Sequence, residues 1–255
     1  MIRIKTKEEI EVMKEGGKRH SFILSEIVKK VKPGVSTQIL EGWARELLAE
    51  QGDSPSFLNY KPRGAKRAYP AALCVSVNDE IVHGIPNESP KILKEGDIVS
   101  LDLGLTHKGL ITDSAVTVAV GKISKEDKKL IDHCKEALYI GIKVAKGGGT
   151  VGDIGSAIES FVKPLGYGLA EGLAGHGVGY KVHEDPFIPN EGRKGTGEVL
   201  KPGMVIAIEP MLTLGSSKTV LCRDGFTFKT SDGKKSAHFE HTIAITDGDP
   251  IILTK

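Results

Sequence analysis

The sequence predicts an α+β fold made of two related halves around a central site. Each half, roughly 1–122 and 123–255, is expected to run through two helices and then into strands. The segment LKEGDIVSLDL at 93–103 also aligns with LKPGMVIAIEP at 200–210. This single long-period match favours duplicated halves over a solenoid of short repeats, with chance similarity as the alternative. Because no linker-like stretch interrupts the chain, we expect one catalytic domain over 1–255.

The first half begins with two predicted amphipathic helices. Apolar residues recur at helical spacing from Ile10 to Val31, and the segment KPGVST then breaks the pattern. Ser36 or Thr37 is suited to cap a second helix, and Gly52 to end it. The predicted bounds are 7–31 and 37–51 for the helices, 53–70 for a loop-rich stretch, 71–77 for a strand and 83–90 for a turn-rich connector.

The second half repeats this order of elements. A helix is predicted until the segment GGGT stops it, and a second helix follows at once. A stretch rich in glycine and proline then precedes several apolar strands. The predicted bounds are 125–145 and 151–163 for the helices, 166–203 for the glycine- and proline-rich stretch, and 204–212, 219–222, 226–229 and 238–246 for the strands.

Composition excludes several classes of protein. The formal net charge is +2, with 39% hydrophobic and 27% charged residues, which lacks the basic footprint of a protein whose main ligand is DNA. Its apolar runs are far shorter than a membrane span. The three cysteines form a sparse, odd set that fits a reducing compartment. We therefore expect a cytoplasmic protein without a membrane partner, and a monomer by default.

The stretch SLDLGLTHKGLITDSAVTVAV, residues 100–120, predicts a β-hairpin with an aspartate in each strand. A turn centred near His107 would pair Asp102 directly with Asp113, with Cβ atoms about 5 Å apart. Two like charges among apolar neighbours must shift their pKa values or hold a cation. The alternative is that both aspartates belong to a solvent-facing polar stripe.

Three further polar residues stand in apolar or glycine-rich surroundings. Glu209 follows the apolar run MVIAI and aligns with Asp102 in the repeat. Glu240 lies at the start of an apolar strand, and His176 lies in AGHGVG, where glycines would let backbone and ligand approach closely. Each has a structural alternative: a strand end at Pro210, a surface acid, or a polar turn residue. Together with the aspartates they form an oxygen-rich set that suits Mn, Fe, Co or Zn, and paired divalent ions can activate a shared water.

These residues resemble those of the methionine aminopeptidases, in the short bacterial type I form with the pita-bread fold. The resemblance covers essentially the whole chain. It implies two pseudo-symmetric α/β halves with a central curved antiparallel sheet. The matching motifs are Asp102-x-Gly104 followed by Asp113, the glycine-flanked His176, Ile208-Glu209-Pro210, Phe239-Glu240-His241-Thr242 and His83-Gly84-Ile85-Pro86.

The resemblance implies a metalloaminopeptidase that removes the N-terminal methionine from nascent proteins when the second residue is small. Of five metal ligands, Asp113 and Glu240 would bridge two divalent ions (Co, Mn, Fe or Zn). Asp102 would chelate one ion, whereas His176 and Glu209 would hold the other. A hydroxide bridging the two metals would attack the scissile carbonyl.

Three residues would be catalytic by the same resemblance. His183 would hydrogen-bond the substrate carbonyl as the oxyanion forms. His83 would contact the substrate backbone near the scissile amide. Glu209 would shuttle a proton in addition to binding metal. A monovalent-cation site near Asn78 and Ser236 is also implied.

The pocket for the methionine side chain corresponds to Tyr69, Cys74 and Phe226. This chain departs from the best-known bacterial pattern in three places. Lys66 stands where an aromatic residue is common before Tyr69. Val182 stands where an aromatic residue is common before His183, and Phe226 stands where tryptophan is common. These departures affect the details of the pocket and not the reaction. The remaining histidines are expected to have surface or structural roles: His20, His107, His133, His238 and His241.

Two alternative functions stay open from the sequence. A proline-specific aminopeptidase or prolidase on the same fold shares the five ligands but normally carries a large extra N-terminal domain. A non-catalytic pita-bread binding protein would have lost ligands, whereas all five are present here. The expected partner is a peptide or nascent chain that begins with methionine, with transient contact to the ribosome through lysine-rich surface.

Overall fold

The order of elements in the computed structural model follows the predicted alternation of helices and strands. The structure describes residues 2–62 and 64–255. The helices are α1 Lys7–Val28, α2 Thr37–Glu50, α3 Lys125–Val144 and α4 Val151–Val162, and the 3-10 turn Lys163–Leu165 follows α4. The strands are β1 Ser54–Pro55, β2 Leu73–Val77, β3 Glu80–Val82, β4 Ile98–His107, β5 Leu110–Ala119, β6 Gly168–Leu169, β7 Gly175–Gly177, β8 Glu184–Ile188, β9 Val205–Ile208, β10 Met211–Thr213, β11 Thr219–Leu221, β12 Phe228–Thr230, β13 Ser236–His238, β14 Glu240–Ala244 and β15 Ile251–Ile252.

All four helices start where the sequence predicts, because the start signals are local. The hydroxyl of Ser36 accepts a hydrogen bond from the amide of Gln38, so Ser36 and not Thr37 caps α2. The first helix ends at Val28 instead of residue 31, and the other three end one residue earlier than predicted. In the described part of the chain, no helix is both long and apolar enough to cross a membrane.

The central feature is a nine-stranded sheet whose strand pairs are all antiparallel. Its order is β1-β4-β5-β14-β9-β7-β8, with β2 paired to β4 and β15 paired to β14. Two three-stranded sheets, β13-β10-β6 and β11-β12-β3, complete the β-structure of the described chain. Each half places its helices against the sheet: α1 and α2 pack with β2 and β4 in one apolar core, and α3 and α4 pack with β9 and β10 in another.

Two predicted strands are broken in the structure. The strand expected over 204–212 divides into β9 and β10 at Glu209 and Pro210, and the strand expected over 238–246 divides into β13 and β14 at Phe239. Proline has no amide hydrogen to give to a ladder, which explains the first break. The first break carries the chain from the large sheet into a small one, and the second carries it from that small sheet back into the large one. The glycine- and proline-rich stretch also holds three short strands, β6 to β8.

The same hydrogen bonds recur in the two aligned segments. The amide of Gly34 donates to the carbonyl of Leu93 at 2.8 Å, and the amide of Gly148 donates to the carbonyl of Leu200 at 2.9 Å. Leu93 and Leu200 are the first residues of the aligned segments, and both glycines have positive φ, +89° and +84°. On this basis we propose that the two predicted halves are related.

Candidate active site

The hairpin of β4 and β5 carries two of the predicted site residues, but in a different register from the one expected. Lys108 and Gly109 form its two-residue turn with φ of +47° and +82°, the left-handed pair that hairpins favour. This turn lies one residue further along than predicted. Asp102 is therefore paired with Ala115 and not with Asp113, and the predicted direct pairing is wrong. The two aspartates are diagonal neighbours on one face of the hairpin.

Strand order brings the other site residues to the same face. Ala115 is paired with Asp102 on one side and with Glu240 on the other, so the two acids lie in one row across β4, β5 and β14. The next strand, β9, is paired with β14 and is followed directly by Glu209. The strand after it, β7, carries His176. Directly opposed residues share a face of a sheet, and these side chains meet there.

We call these five residues, Asp102, Asp113, His176, Glu209 and Glu240, the acidic wall. At most 9% of the surface of any of them is exposed. Asp113, His176 and Glu240 each offer a ligand atom within 4.8 Å of the others. His176 Nε2 lies 3.5 Å from Glu209 Oε1. The structure thus brings all five predicted ligands together in one cavity.

Burial raises the pKa of every carboxyl group in the acidic wall. The pKa rises to about 6 for Asp102 and to about 8 for Glu209. For Asp113 and Glu240, burial and then repulsion from neighbouring acids hold the pKa well above its usual range. One buried oxygen each of Asp102, Asp113 and Glu240 has no hydrogen-bond partner among the described residues. Clustered buried carboxylates with unpartnered oxygens fit divalent cations.

His176 is oriented as a metal-binding histidine usually is. Its Nδ1 lies 3.0 Å from the carbonyl oxygen of Gly177, which can only accept, so Nδ1 carries the proton and Nε2 faces the acidic wall with a lone pair. The preceding residue, Gly175, is needed for close packing of two strands and not for the approach of a ligand, which was the reason predicted from the sequence. A Cβ there would lie 2.3 Å from the carbonyl oxygen of Ala207 on β9, so the glycine lets the two strands pack.

The two histidines predicted to contact substrate also line the cavity. His183 Nδ1 lies 2.9 Å from the hydroxyl of Tyr60, and its ring centroid is 4.4 Å from that of His176. His83 has a φ of +57° just after β3, and its ring packs edge-on against Phe228. Burial lowers the pKa of His83 to about 4 and also lowers that of His183. Both rings are therefore neutral near pH 7.

The opposite side of the same cavity is apolar. We call Phe57, Tyr69, Cys74 and Phe226 the apolar wall; each is at most 8% exposed. Tyr69 meets Phe226 edge-on at 5.3 Å, and its hydroxyl donates to the carbonyl of Gly84 at 2.9 Å. Cys74 is paired with Asp102 across β2 and β4, so the two walls join at that pair.

The residues that depart from the family pattern differ in their surroundings. Val182 is 4% exposed and packs in the same apolar cluster as the apolar wall. Lys66 is exposed. Its neighbour Arg67 has the more direct contact, because its guanidinium lies 5.3 Å from the centre of the Phe226 ring and forms two hydrogen bonds with Glu88.

Sequence reasoning missed several residues of this region. Phe57 and Tyr60 line the cavity, and the only signal for them was the aromatic content of a stretch predicted as loops. His238, expected to be structural, lies beside the acidic wall with Nε2 3.3 Å from Glu209 Oε2. Asn78 and Ser236 are in contact, because the Asn78 carbonyl accepts from the Ser236 amide at 2.9 Å.

Comparison with known proteins agrees with this geometry. The model of metallopeptidase family M24 matches residues 11–247. The chain belongs to family M24. Among its relatives, the methionine aminopeptidase of Aquifex aeolicus is 47% identical over 258 residues, covering 100% of this chain and 99% of the relative. The crystal structure of methionine aminopeptidase from Thermotoga maritima matches with a TM-score of 0.95 and 44% identity, covering 100% of both chains.

These matches confirm the predicted resemblance to the methionine aminopeptidases and the pita-bread fold. Membership of family M24 also makes the chain a metal-dependent hydrolase. The fold is shared with a second group of peptidases. The Xaa-Pro dipeptidase from Bacillus anthracis matches with a TM-score of 0.77 and 26% identity, covering 99% of this chain and 62% of that chain.

Proposed function

We propose that this M24 protein removes the N-terminal methionine from nascent polypeptides whose second residue is small. The observation that carries the proposal is one cavity with two unlike walls: a buried cluster of acids and an imidazole faces a buried apolar wall. A side chain the size of methionine can bury itself against the apolar wall. The adjoining peptide bond would then lie at the acidic wall.

The acidic wall would hold two divalent ions. Bound there, such ions would polarise the scissile carbonyl and lower the pKa of a water. Asp102, Asp113, His176, Glu209 and Glu240 would supply the ligand atoms for them. Cobalt, manganese, iron and zinc all accept this donor set.

His183 is suited to stabilise the oxyanion. If the Tyr60 hydroxyl donates to Nδ1 over their 2.9 Å separation, the ring proton sits on Nε2. That N–H would donate to the substrate oxygen as negative charge develops on it. In that arrangement Tyr60 would select the tautomer that the reaction needs.

Two other residues would handle the substrate amide and the protons. Hydrolysis adds hydroxide to the carbonyl carbon, breaks the C–N bond and delivers a proton to the departing amine. Glu209, whose Oε1 lies 3.5 Å from His176 Nε2 in the cavity, is suited to carry that proton. His83 lines the cavity with a neutral ring and would hydrogen-bond the substrate backbone beside the scissile bond.

The alternative is proline-specific cleavage on the same fold. The apolar wall favours methionine, because it provides a buried apolar surface next to the acidic wall. The monovalent-cation site near Asn78 and Ser236 stays a prediction, as do the monomeric state and transient ribosome contact through lysine-rich surface. Charge reversal of that surface should abolish co-sedimentation with ribosomes; unchanged binding would count against the contact.

A peptide cleavage assay on metal-stripped protein tests the proposal. The protein would receive Mn²⁺, Co²⁺, Fe²⁺ or Zn²⁺ in turn, with Met-Ala-Ser, Met-Lys-Ser and Ala-Pro-Ala as substrates. We expect metal-dependent release of methionine from Met-Ala-Ser and little from Met-Lys-Ser. Cleavage of Ala-Pro-Ala instead would place the chain with the proline-specific peptidases. No turnover with any metal would favour a binding protein.

A further inference from the structure

A sixth polar side chain faces the acidic wall from the small sheet beside it. His238 ends β13, and 1% of its surface is exposed. Its Nε2 lies 3.3 Å from Glu209 Oε2, whereas Nε2 of His176 lies 3.5 Å from Glu209 Oε1. The carboxylate of Glu209 therefore lies between two imidazole rings, with one ring at each oxygen.

The backbone around His238 is held firmly. Its amide donates to Thr117 Oγ1 at 2.8 Å, and the same hydroxyl donates to the His238 carbonyl at 2.9 Å. The residue is also paired with Met211, which lies two positions after Glu209. The ring thus approaches Glu209 from an adjacent strand whose position is set by the ladder and by one buried hydroxyl.

The chemistry of the contact sets the direction of the hydrogen bond. A metal-binding glutamate is ionised and its oxygens can only accept, so an attractive contact in that state requires the ring proton on Nε2. At 3.3 Å the contact is long, and neither ring nitrogen of His238 makes a well-aligned hydrogen bond within the described chain. In the ligand-free state, the donor–acceptor distances of active-site hydrogen bonds are often longer than usual. A buried ring without another partner also calls for a functional explanation.

We propose that His238 is a positioning residue for Glu209. Its Nε2–H donates to Oε2 and fixes the carboxylate so that Oε1 faces His176 and the cavity. This inference rests on the proposed function, because it takes Glu209 as a metal ligand. Groups that hold a ligand in place typically change metal affinity by about 10- to 100-fold when they are removed.

Metal titration of three variants tests the role. We expect His238→Leu to weaken binding of Mn²⁺ at the weaker site by about 10- to 100-fold in calorimetry. His238→Gln keeps an N–H donor of similar reach and should stay within about threefold of the parent protein, well below that range. His238→Asn is too short to reach Oε2 and should behave like the leucine variant, which keeps the test available if His238→Leu does not fold. His133→Leu, on α3 against Tyr167, is the matched control and should bind Mn²⁺ as the parent does.

A spectroscopic readout separates positioning from direct ligation. Co²⁺ bound to the parent and to His238→Gln should give the same visible absorption bands, because the ligand atoms are unchanged. If the glutamine variant loses affinity as badly as the leucine variant and changes the bands, His238 binds metal itself and the positioning role is wrong. Unchanged Mn²⁺ affinity in His238→Leu would also overturn it. Tight binding of metal without methionine release would refute the proposed function alone.

Discussion

The two walls of the cavity are built by different means. Residues of the acidic wall lie on β4, β5, β7 and β14 or directly after β9, so backbone ladders between adjacent strands set their positions. In the apolar wall, Phe57, Tyr69 and Phe226 lie outside the strands, and only Cys74 lies in one. Metal binding requires donor positions accurate to about 0.5 Å, which a sheet can supply. An apolar pocket tolerates looser placement, because dispersion contacts are many and weakly directional.

The acidic wall should therefore show the largest loss when one group is changed. Glu240→Gln keeps the shape of the side chain and removes its charge, so fewer than two divalent ions should bind. We expect kcat/KM for Met-Ala-Ser to fall by at least about 100-fold, the scale for losing one electrostatic contribution at an active site. Metal content by mass spectrometry and steady-state kinetics measure both effects. The half-buried Glu159→Gln on α4, where Glu159 pairs with Lys163, should match the parent. A full metal complement in Glu240→Gln would contradict the assignment.

The acidic wall should also make the stability of the protein depend on both pH and bound metal. In the folded metal-free protein, burial raises the pKa of Asp102 to about 6 and that of Glu209 to about 8. The folded state then keeps protons that the unfolded chain releases above about pH 4.5, so the free energy of unfolding falls as pH rises toward 8. The rise in Tm caused by Mn²⁺ should grow over the same window, because cations displace those protons. Scanning calorimetry from pH 5 to 8 measures it, and a constant Mn²⁺ effect would count against the prediction.

A change in the apolar wall should alter affinity much more than turnover. Phe226→Ala removes part of the surface that would bury the methionine side chain, a loss of about 1–2 kcal/mol given about 1.5–3 kcal/mol for a fully buried side chain. We expect KM for Met-Ala-Ser to rise about 5- to 30-fold while kcat changes little. Phe187→Ala on β8 is the control, since that ring is 65% exposed. A fall in kcat with unchanged KM would show that Phe226 acts on the reaction itself.

The smallest effect is expected for Arg67, which contacts the apolar wall at Phe226. Arg67 stacks on Phe226 while it is held by Glu88, a contact of the kind worth about 0.5–1 kcal/mol at exposed sites. Arg67→Ala should raise KM about two- to fivefold. Lys66→Ala, in the same loop, should leave KM unchanged. If Glu88 acts by holding Arg67, adding Glu88→Gln to Arg67→Ala should change nothing further; additive effects would show that the two act separately.

The amino-acid sequence alone determined the features that depend on local physics. Helix starts follow from capping residues such as Ser36 and Ser124, which satisfy amide groups a few positions away in the chain. The alternation of helices and apolar strands was sufficient for the fold class. The acids in apolar strands predicted a metal site, because the cost of burying a charge does not depend on which strands are neighbours.

Only the tertiary structure decided which residues meet. The register of the hairpin depends on two left-handed residues, Lys108 and Gly109, and a shift of one turn position moved Asp102 from Asp113 to Ala115. The contact between His238 and Glu209 joins the end of β13 to the break after β9, and no periodicity in the sequence signals it. Periodicity and capping act over a few residues, whereas strand order and register are set by contacts between distant parts of the chain.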